Sequence, residues 1–204
     1  MIWSKFIQPR LISLACTSKF IRHQRAKVIP KADGTVLEIG FGSGHNLQFY
    51  NKHNVKKIIG LEPSISMQKL SKKRLKDFNI NFELLTERAE EIPLKSNSID
   101  SVVCTYTLCS ISNPKLALSE IRRVLKKGGK FIFTEHSLSP DLKINKFQKK
   151  IEPLWKFLAD GCHLTRDIRK ILIENGFNID NSDDMYLPRT PKFIGYHVWG
   201  LLRK

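Results

Sequence analysis

Short apolar runs alternate with amphipathic stretches between residues 36 and 134, and this alternation indicates the fold class. The runs have the length of single strands, and the run at Ser101–Thr105 is nearly continuously apolar, as in a strand that is buried on both faces. Helical spacing of apolar residues predicts helices at Ile65–Phe78, capped by Ser64, and at Pro114–Leu125, ended by Gly128-Gly129. Such alternation predicts an α/β fold, a parallel sheet with helices on both faces. The predicted strands are Val36–Ile39, Ile58–Leu61, Asn81–Leu85, Ser101–Thr105 and Lys130–Thr134.

Two further amphipathic stretches lie outside this alternation. Residues 2–29 carry apolar side chains near helical period with Lys and Arg between them. A basic amphipathic helix of this kind either packs over the site as a cap or lies on a membrane surface. Residues 144–158 repeat the i, i+3, i+4 pattern and predict a helix inside an insertion, residues 137–166, that covers a substrate. We expect one domain over residues 1–204, with residues 1–30 as its basic N-terminal cap.

Composition narrows the class of protein. A length of 204 residues suits one domain, and 41% hydrophobic and 26% charged residues suit a soluble globular protein. No apolar run reaches the length of a membrane span, and the N-terminus lacks the small-residue cleavage site of a signal peptide. The four cysteines form no C-x-x-C pair and no His/Cys group with zinc spacing. We therefore expect no metal, and a reducing, cytoplasmic location.

The net charge of +16 is the unusual compositional feature. A large excess of basic residues attracts nucleic acid, anionic lipid or acidic proteins. The Lys and Arg residues are nevertheless scattered over the predicted helices, as on solvated helix faces. Because no RNA-binding module accompanies them, nucleic acid is the less favoured partner. Peripheral contact with an anionic membrane surface stays open as an alternative.

The stretch Val36–Gly44 reads as a buried strand that ends in a glycine-rich turn. Glycines at alternate positions let the backbone turn tightly and approach a ligand closely. A dinucleotide site requires a third glycine where this chain has His45. Glu38, at the end of the strand, suits a cation better than a pyrophosphate. These features favour S-adenosylmethionine (AdoMet), which carries an ammonium and a sulfonium.

A second acidic residue supports this assignment. Glu62 lies 22 residues beyond Gly40, at the end of the second predicted strand. A carboxylate at this position can accept hydrogen bonds from both ribose hydroxyls of a nucleoside. The glycine turn, Glu38 and Glu62 together therefore predict an AdoMet site.

Several stretches resemble the class I AdoMet-dependent methyltransferases over nearly the whole chain. More specific stretches resemble the methyltransferase-like 7 group, the alkyl-thiol S-methyltransferases. The general stretches are Val36–Gly44, Gly60–Pro63, 89–94, 98–103 and 120–129. The specific ones are 102–111, Glu135-His136, Pro153-Leu154-Trp155, 160–166 and Ile194-Gly195-Tyr196.

The resemblance implies a Rossmann-like seven-stranded sheet flanked by helices, parallel except for an antiparallel last strand, here Phe193–Leu202. It also implies roles for individual residues. Those assigned to the methionine part of AdoMet are Glu38, Gly40, Gly42, Gly44 and Asn46. The other assignments are Glu62 with Pro63 at the ribose, Arg88 with Ala89 at the adenine edge, and Thr105 with Leu108 beside the cofactor. The family commonly has an aspartate at the adenine edge, where this chain has Arg88.

The resemblance further implies methyl transfer to a small, apolar acceptor, best a thiol. A thiol with a pKa of roughly 8.5 is partly ionised at pH 7, so a general base is useful without being essential. The candidate bases are His136, at the end of the fifth strand, and His163, after the predicted lid helix; Tyr106 and Cys109 are candidates for lining the acceptor pocket. One alternative is an N- or C-methyltransferase for a phospholipid headgroup or a quinone. The other is a regulatory protein that binds AdoMet without turnover.

Overall fold

A seven-stranded sheet forms the centre of the fold. The structure is a computed structural model that describes residues 3–76 and 78–204. The strands of the sheet lie in the order β3-β2-β1-β4-β5-β7-β6. β7 runs antiparallel to both of its neighbours, and the described pairs among β1 to β5 are parallel. The predicted fold class is therefore confirmed. The strands are β1 (Gly34–Ile39), β2 (Val55–Leu61), β3 (Asn81–Leu85), β4 (Ile99–Thr105), β5 (Leu125–His136), β6 (Ser182–Tyr186) and β7 (Tyr196–Arg203).

The central strands are buried on both faces, which explains their continuous apolar sequence. Val102 and Val103 of β4 are both 0% exposed, yet they belong to different core clusters because neighbouring strand residues point to opposite faces. One cluster includes residues of helices α4 and α6, and the other includes Val28 and Phe41. The helices are α1 (Gln8–Ala15), α2 (Lys19–Val28), α3 (Ile65–Lys76), α4 (Pro114–Val124), α5 (Leu142–Leu158), α6 (Ile168–Glu174) and α7 (Lys192–Gly195).

The N-terminal segment differs from the single helix that its periodicity predicts. A π-helical turn at Trp3–Ile7 leads into α1, and residues 16–18 separate α1 from α2. Ser18 caps α2 by accepting a hydrogen bond from the backbone N–H of Ile21 at 3.4 Å. Met1 and Ile2 lie outside the described residues. The break lets the two halves of the amphipathic segment take separate positions against the domain.

Other boundaries also differ from the prediction. The predicted last strand starts too early, since α7 occupies Lys192–Gly195 before β7 begins at Tyr196. The apolar pattern does not predict β6, because its sequence, Ser-Asp-Asp-Met-Tyr, is polar. A polar sequence is compatible with an edge strand whose residues are partly exposed. α3 ends at Lys76 instead of Phe78, and Asp77 lies outside the described residues. The helix over residues 144–158 is confirmed as α5, and Ser64 caps α3 through Met67 N at 3.3 Å.

The carboxyl ends of the parallel strands bring the predicted site residues to one edge of the sheet. The glycine turn follows β1, Glu62 follows β2, Tyr106 follows β4, and His136 ends β5. β1 lies between β2 and β4, so the chain order reverses beside β1. Open α/β sheets bind ligands at such a switch point.

Candidate active site

The glycine turn leaves its backbone open at one point. Gly40, Gly42 and Gly44 have φ angles of 67°, 57° and 79°, in the left-handed region that favours glycine. A Cβ on Gly40 would collide with the Thr107 side chain, whereas a Cβ on Gly42 would have, among the described residues beyond its chain neighbours, only the Gly40 carbonyl oxygen within 4 Å. Gly42 is therefore bare toward the space above the turn, as close approach by a ligand requires.

Glu38 is buried in a set of hydrogen-bond donors. Its side chain accepts from Asn46 Nδ2 at 2.9 Å and from the Tyr50 hydroxyl at 2.6 Å. Burial raises the pKa of Glu38 to about 7, against the opposing effects of the Tyr50 hydrogen bond, the Arg25 charge and Asn46. A cationic ligand next to this carboxyl would favour its ionised form.

Arg25 is the site residue that sequence reasoning missed. It comes from α2, is 5% exposed, and its Nη1 donates to Asn46 Oδ1 and Thr105 Oγ1, each at 2.6 Å. Its guanidinium carbon lies 5.0 Å from the centre of the Tyr106 ring. Among the described residues, its buried Nε has no hydrogen-bond partner. The available signal was its position three residues before buried Val28, on the inner face of α2.

Glu62 is held at the other end of the glycine turn. Its Oε2 accepts from Gly42 N at 2.8 Å and its Oε1 accepts from Ser64 N at 2.8 Å. Burial raises its pKa, and the two backbone hydrogen bonds oppose that rise. The structure thus brings Glu62 to the glycine turn, as predicted, with Pro63 exposed beside it.

The two residues assigned to the adenine edge have fewer contacts with the rest of the site than Glu38 and Glu62 have. Arg88 is exposed and Ala89 is buried in the core cluster that contains Ile92. Within residues 3–76 and 78–204, no side-chain hydrogen bond joins Arg88 to the other site residues. Their role at the adenine stays a prediction.

The loop after β4 is anchored by a second buried acid, Glu135. Its side chain accepts from the backbone N–H groups of Thr107 at 2.7 Å, Leu108 at 3.0 Å and Cys109 at 3.4 Å. Burial raises the pKa of Glu135 to about 7, and these hydrogen bonds act in the opposite direction. Tyr106, at the start of the loop, has a φ of 56°, a backbone conformation that costs energy and is common at functional sites.

His136 is in contact with a thiol. Its Nε2 lies 2.7 Å from the Sγ of Cys162, which also accepts from Trp155 Nε1 at 3.3 Å. The buried Nδ1 of His136 has no partner among the described residues. The Cys109 thiol lowers the pKa of Cys162, with His136 acting in the same direction and burial opposing both.

His163 is engaged elsewhere. Its Nδ1 lies 2.9 Å from Glu152 Oε1, and the other Glu152 oxygen accepts from Thr165 N at 2.8 Å. The His163 backbone N–H donates to the Cys109 carbonyl at 2.9 Å. This arrangement ties the turn after α5 to the loop after β4, and a catalytic role for His163 stays a prediction.

Arg166 belongs to the same connection. It donates to the backbone carbonyls of Leu108 and Ile111. Arg166 forms no ion pair with Asp160 in the part of the chain that the structure describes. Asp160 instead has a φ of 50° and lies near enough to Glu62 to raise its pKa.

Comparison with known proteins identifies the family. Residues 37–133 match the family described as Methyltransferase domain. Thiol S-methyltransferase TMT1B of Rattus norvegicus is 38% identical over 170 residues, which cover 81% of this chain and 69% of the relative. Thiol S-methyltransferase TMT1A of Homo sapiens is 32% identical over 175 residues, covering 84% and 71%.

Solved structures agree on the fold. An AdoMet-dependent methyltransferase of Thermotoga maritima, described as a possible histamine N-methyltransferase, superposes with a TM-score of 0.68. It is 21% identical and the match covers 100% of this chain and 98% of the other. The fold, the site at the carboxyl edge of the sheet and these relatives together show that the chain is an AdoMet-dependent methyltransferase of the thiol S-methyltransferase family.

Proposed function

We propose that this enzyme transfers the methyl group of AdoMet to the sulfur of a small, apolar thiol. The observation that carries the proposal is the 38% identity to a protein named as a thiol S-methyltransferase, which extends over 81% of the chain. The site supports it, because the side chains packed around the loop after β4 include Cys109, Cys162 and Trp155, a soft and largely apolar environment.

The residues present fit the cofactor. Bare Gly42, buried Glu38 and the unpartnered Nε of Arg25 would receive the methionine part, with Glu62 at the ribose. Opposite charges at Glu38 and Arg25 match the ammonium and carboxylate of an amino acid. When bound, AdoMet supplies an electrophilic methyl group whose transfer forms an S–CH3 bond on the acceptor and leaves S-adenosylhomocysteine.

The protein's main task is to align the acceptor and exclude water. Contacts that support this role join α2 to Thr105 through Arg25, and join the turn after α5 to the loop after β4 through Arg166 and the His163 backbone. A thiol with a pKa of roughly 8.5 is ionised to about one part in thirty at pH 7. A dry site favours the reaction of a thiolate with a sulfonium, because the opposite charges cancel as the bond forms.

An AdoMet-consumption screen tests the acceptor. The purified protein is offered alkyl thiols, phosphatidylethanolamine, quinol precursors and transfer RNA, and products are identified by mass spectrometry. Methyl thioether formation from alkyl thiols supports the proposal. Turnover of lipid or quinol without turnover of thiols contradicts it, and tight AdoMet binding without transfer to any acceptor favours the regulatory alternative.

We propose in addition that the enzyme binds peripherally to anionic membranes. Exposed apolar side chains lie on α1 and the end of α5, including Leu14 at 67% and Phe157 at 66% exposure. Trp3, in the turn before α1, stacks on Phe157 with ring centres 6.2 Å apart, so the N-terminal segment contacts the end of α5. No helix in the described ranges is long and apolar enough to cross a bilayer. The net charge of +16 would attract such a surface to anionic lipid.

Vesicle sedimentation tests this second proposal. The double variant Leu14→Ser/Phe157→Ser is expected to bind phosphatidylserine-containing vesicles less than the wild type, and salt is expected to weaken binding of both. Ile173→Ser is the matched control, because Ile173 is an apolar residue on α6 with 54% exposure. Equal sedimentation of the double variant and the wild type would argue against the proposed surface.

A further inference from the structure

A buried cluster is formed by Cys109, His136 and Cys162, and the local sequence around each residue does not predict it. One ligand atom from each, two thiol sulfurs and an imidazole nitrogen, lies within 4.8 Å of the other two. The residues come from the loop after β4, the end of β5 and the turn after α5. Neighbouring members are 27 and 26 positions apart in the chain, far beyond the short spacings of zinc motifs, and the sequence-based expectation of no metal therefore did not include them.

The surrounding structure holds these three groups in place. Glu135 accepts from the backbone of Cys109, and the Cys109 carbonyl accepts from His163 N at 2.9 Å. Trp155 Nε1 donates to the Cys162 sulfur at 3.3 Å. The Nε2 of His136 lies 2.7 Å from the Cys162 sulfur, so this ring nitrogen faces the two thiols.

Two thiolates and one imidazole are a ligand set that zinc uses in catalytic sites, where a fourth position stays open for water or substrate. We propose that Cys109, His136 and Cys162 bind a zinc ion whose fourth position takes the acceptor thiol. This inference rests on the proposed function, since it gives the acceptor sulfur its place. It also gives His136 the role of a ligand instead of a general base.

The dimensions of the cluster suit this ion. With Zn–S bonds of about 2.3 Å and Zn–N bonds of about 2.0 Å, tetrahedral ligand atoms stand about 3.5 to 3.8 Å apart. The distances between ligand atoms in the cluster include 2.7 Å, between His136 Nε2 and Cys162 Sγ, and none exceeds 4.8 Å. Shifts of about 1 Å in side-chain positions would therefore bring the atoms to zinc-binding distances.

Coordination supplies what a free thiol lacks at neutral pH. A thiol that binds zinc loses its proton, which passes to solvent, and remains nucleophilic as a bound thiolate. Its sulfur then forms the new S–CH3 bond while the methyl–sulfonium bond breaks, and that bond's electron pair stays on the sulfur of S-adenosylhomocysteine. The thioether product is neutral and a weaker ligand than the thiolate, so it can leave.

Metal content tests the site independently of turnover. Protein loaded with zinc and freed of excess metal is analysed by elemental mass spectrometry, and a parallel sample is loaded with cobalt(II) for absorption spectroscopy. We expect equimolar zinc and a sulfur-to-cobalt charge-transfer band in the wild type and in Cys16→Ser. Both signals should be lost in Cys109→Ser and Cys162→Ser. Retained AdoMet binding by these two variants would show that they are folded.

The absence of bound metal in loaded wild-type protein, or equal metal content in the cluster variants, would overturn the site. The acceptor's role is tested by adding an alkyl thiol to the cobalt protein, which should shift the absorption bands. Stripping the metal should abolish thiol methylation and zinc should restore it. Full thiol methylation by metal-free enzyme would overturn the zinc role while leaving the proposed function intact. A metal-loaded enzyme that methylates lipid but no thiol would overturn the proposed function itself.

Discussion

At the scale of single residues, Arg25 links the N-terminal segment to the chemistry of the site. Its guanidinium touches Asn46 and Thr105, two residues that the sequence assigned to the cofactor, and it lies over Tyr106. Because its Nε lacks a partner among the described residues, the group retains a donor for a ligand carboxylate. Arg25 therefore positions the site and is suited to bind the cofactor directly.

We expect Arg25→Ala to weaken AdoMet binding about 10- to 100-fold, because hydrogen bonds to charged groups contribute about 1.5–3 kcal/mol. Isothermal titration calorimetry measures the change. Arg22→Ala is the matched control, since Arg22 is exposed one turn earlier on α2 and contacts Gln48. Equal losses in the two variants would mean that general charge, not the position of Arg25, attracts the cofactor.

Glu38 makes the stability of the ligand-free enzyme depend on pH. Its folded-state pKa of about 7 lies above the ordinary value of 4.5, so the folded protein binds more protons between these values. Stability is then fully present below pH 4.5 and is lost as pH rises through 7. The ceiling on this loss is about 3.5 kcal/mol, since a tenfold change in an equilibrium corresponds to about 1.4 kcal/mol.

The measurement is denaturant unfolding between pH 5 and pH 8 for the wild type and for Glu38→Gln. The free energy of unfolding of the wild type should fall relative to that of the variant as pH rises. Comparison of the two proteins cancels the contribution of Glu135, whose pKa is also raised. Parallel pH curves would refute a titrating Glu38.

At the scale of elements, α1 joins two parts of the site that are far apart in sequence. Gln8 Nε2 donates to the Phe157 carbonyl at the end of α5 at 3.0 Å. Ser13 Oγ lies 2.8 Å from Ser43 Oγ in the glycine turn and 3.2 Å from His45 Nε2. The segment around α1 thus contacts both the glycine turn and the end of α5, and its role as a cap stays a prediction.

We expect Gln8→Ala to loosen α1 by about 1 kcal/mol, the ordinary contribution of a hydrogen bond. Hydrogen exchange followed by mass spectrometry should show faster exchange over residues 8–15, while the central strands stay unchanged. Gln48→Ala serves as the control, because Gln48 is exposed and has no contact with α5 among the described hydrogen bonds. Unaltered exchange in α1 would show that its other contacts suffice to hold it.

At the scale of the whole molecule, the site is formed by residues from or next to β1, β2, β4, β5 and α2. A ligand that binds only the folded state stabilises all of them together. AdoMet at about 100 times its Kd should add about 2.7 kcal/mol. For a domain of this size that corresponds to a rise in Tm of about 5–10 °C.

Thermal unfolding monitored by fluorescence checks this expectation. NAD at the same concentration should leave Tm unchanged, because His45 stands where a dinucleotide turn needs glycine. The shift with AdoMet should also be smaller for Arg25→Ala. A comparable shift with NAD would contradict the assignment of the glycine turn to AdoMet.

Local pattern was sufficient for much of the fold. Strands β1 to β5 and helices α3, α4 and α5 follow from apolar periodicity, because each is stabilised by a face that its own sequence defines. The polar edge strand β6 and the break between α1 and α2 escaped prediction. Their positions depend on pairing with β7 and on packing against the site, which short-range pattern does not record.

By itself, the sequence determined the glycine turn, Glu38 and Glu62, since strand ends and turn glycines are local features that the topology carries to one edge. Only the tertiary structure decided the place of Arg25 and the meeting of Cys109, His136 and Cys162. The sequence pattern does not distinguish Arg25 from the other basic residues of α2, because only packing against the domain buries it. The cluster joins three segments that are apart in sequence and meet only because β4 and β5 are neighbours and the turn after α5 folds over their ends.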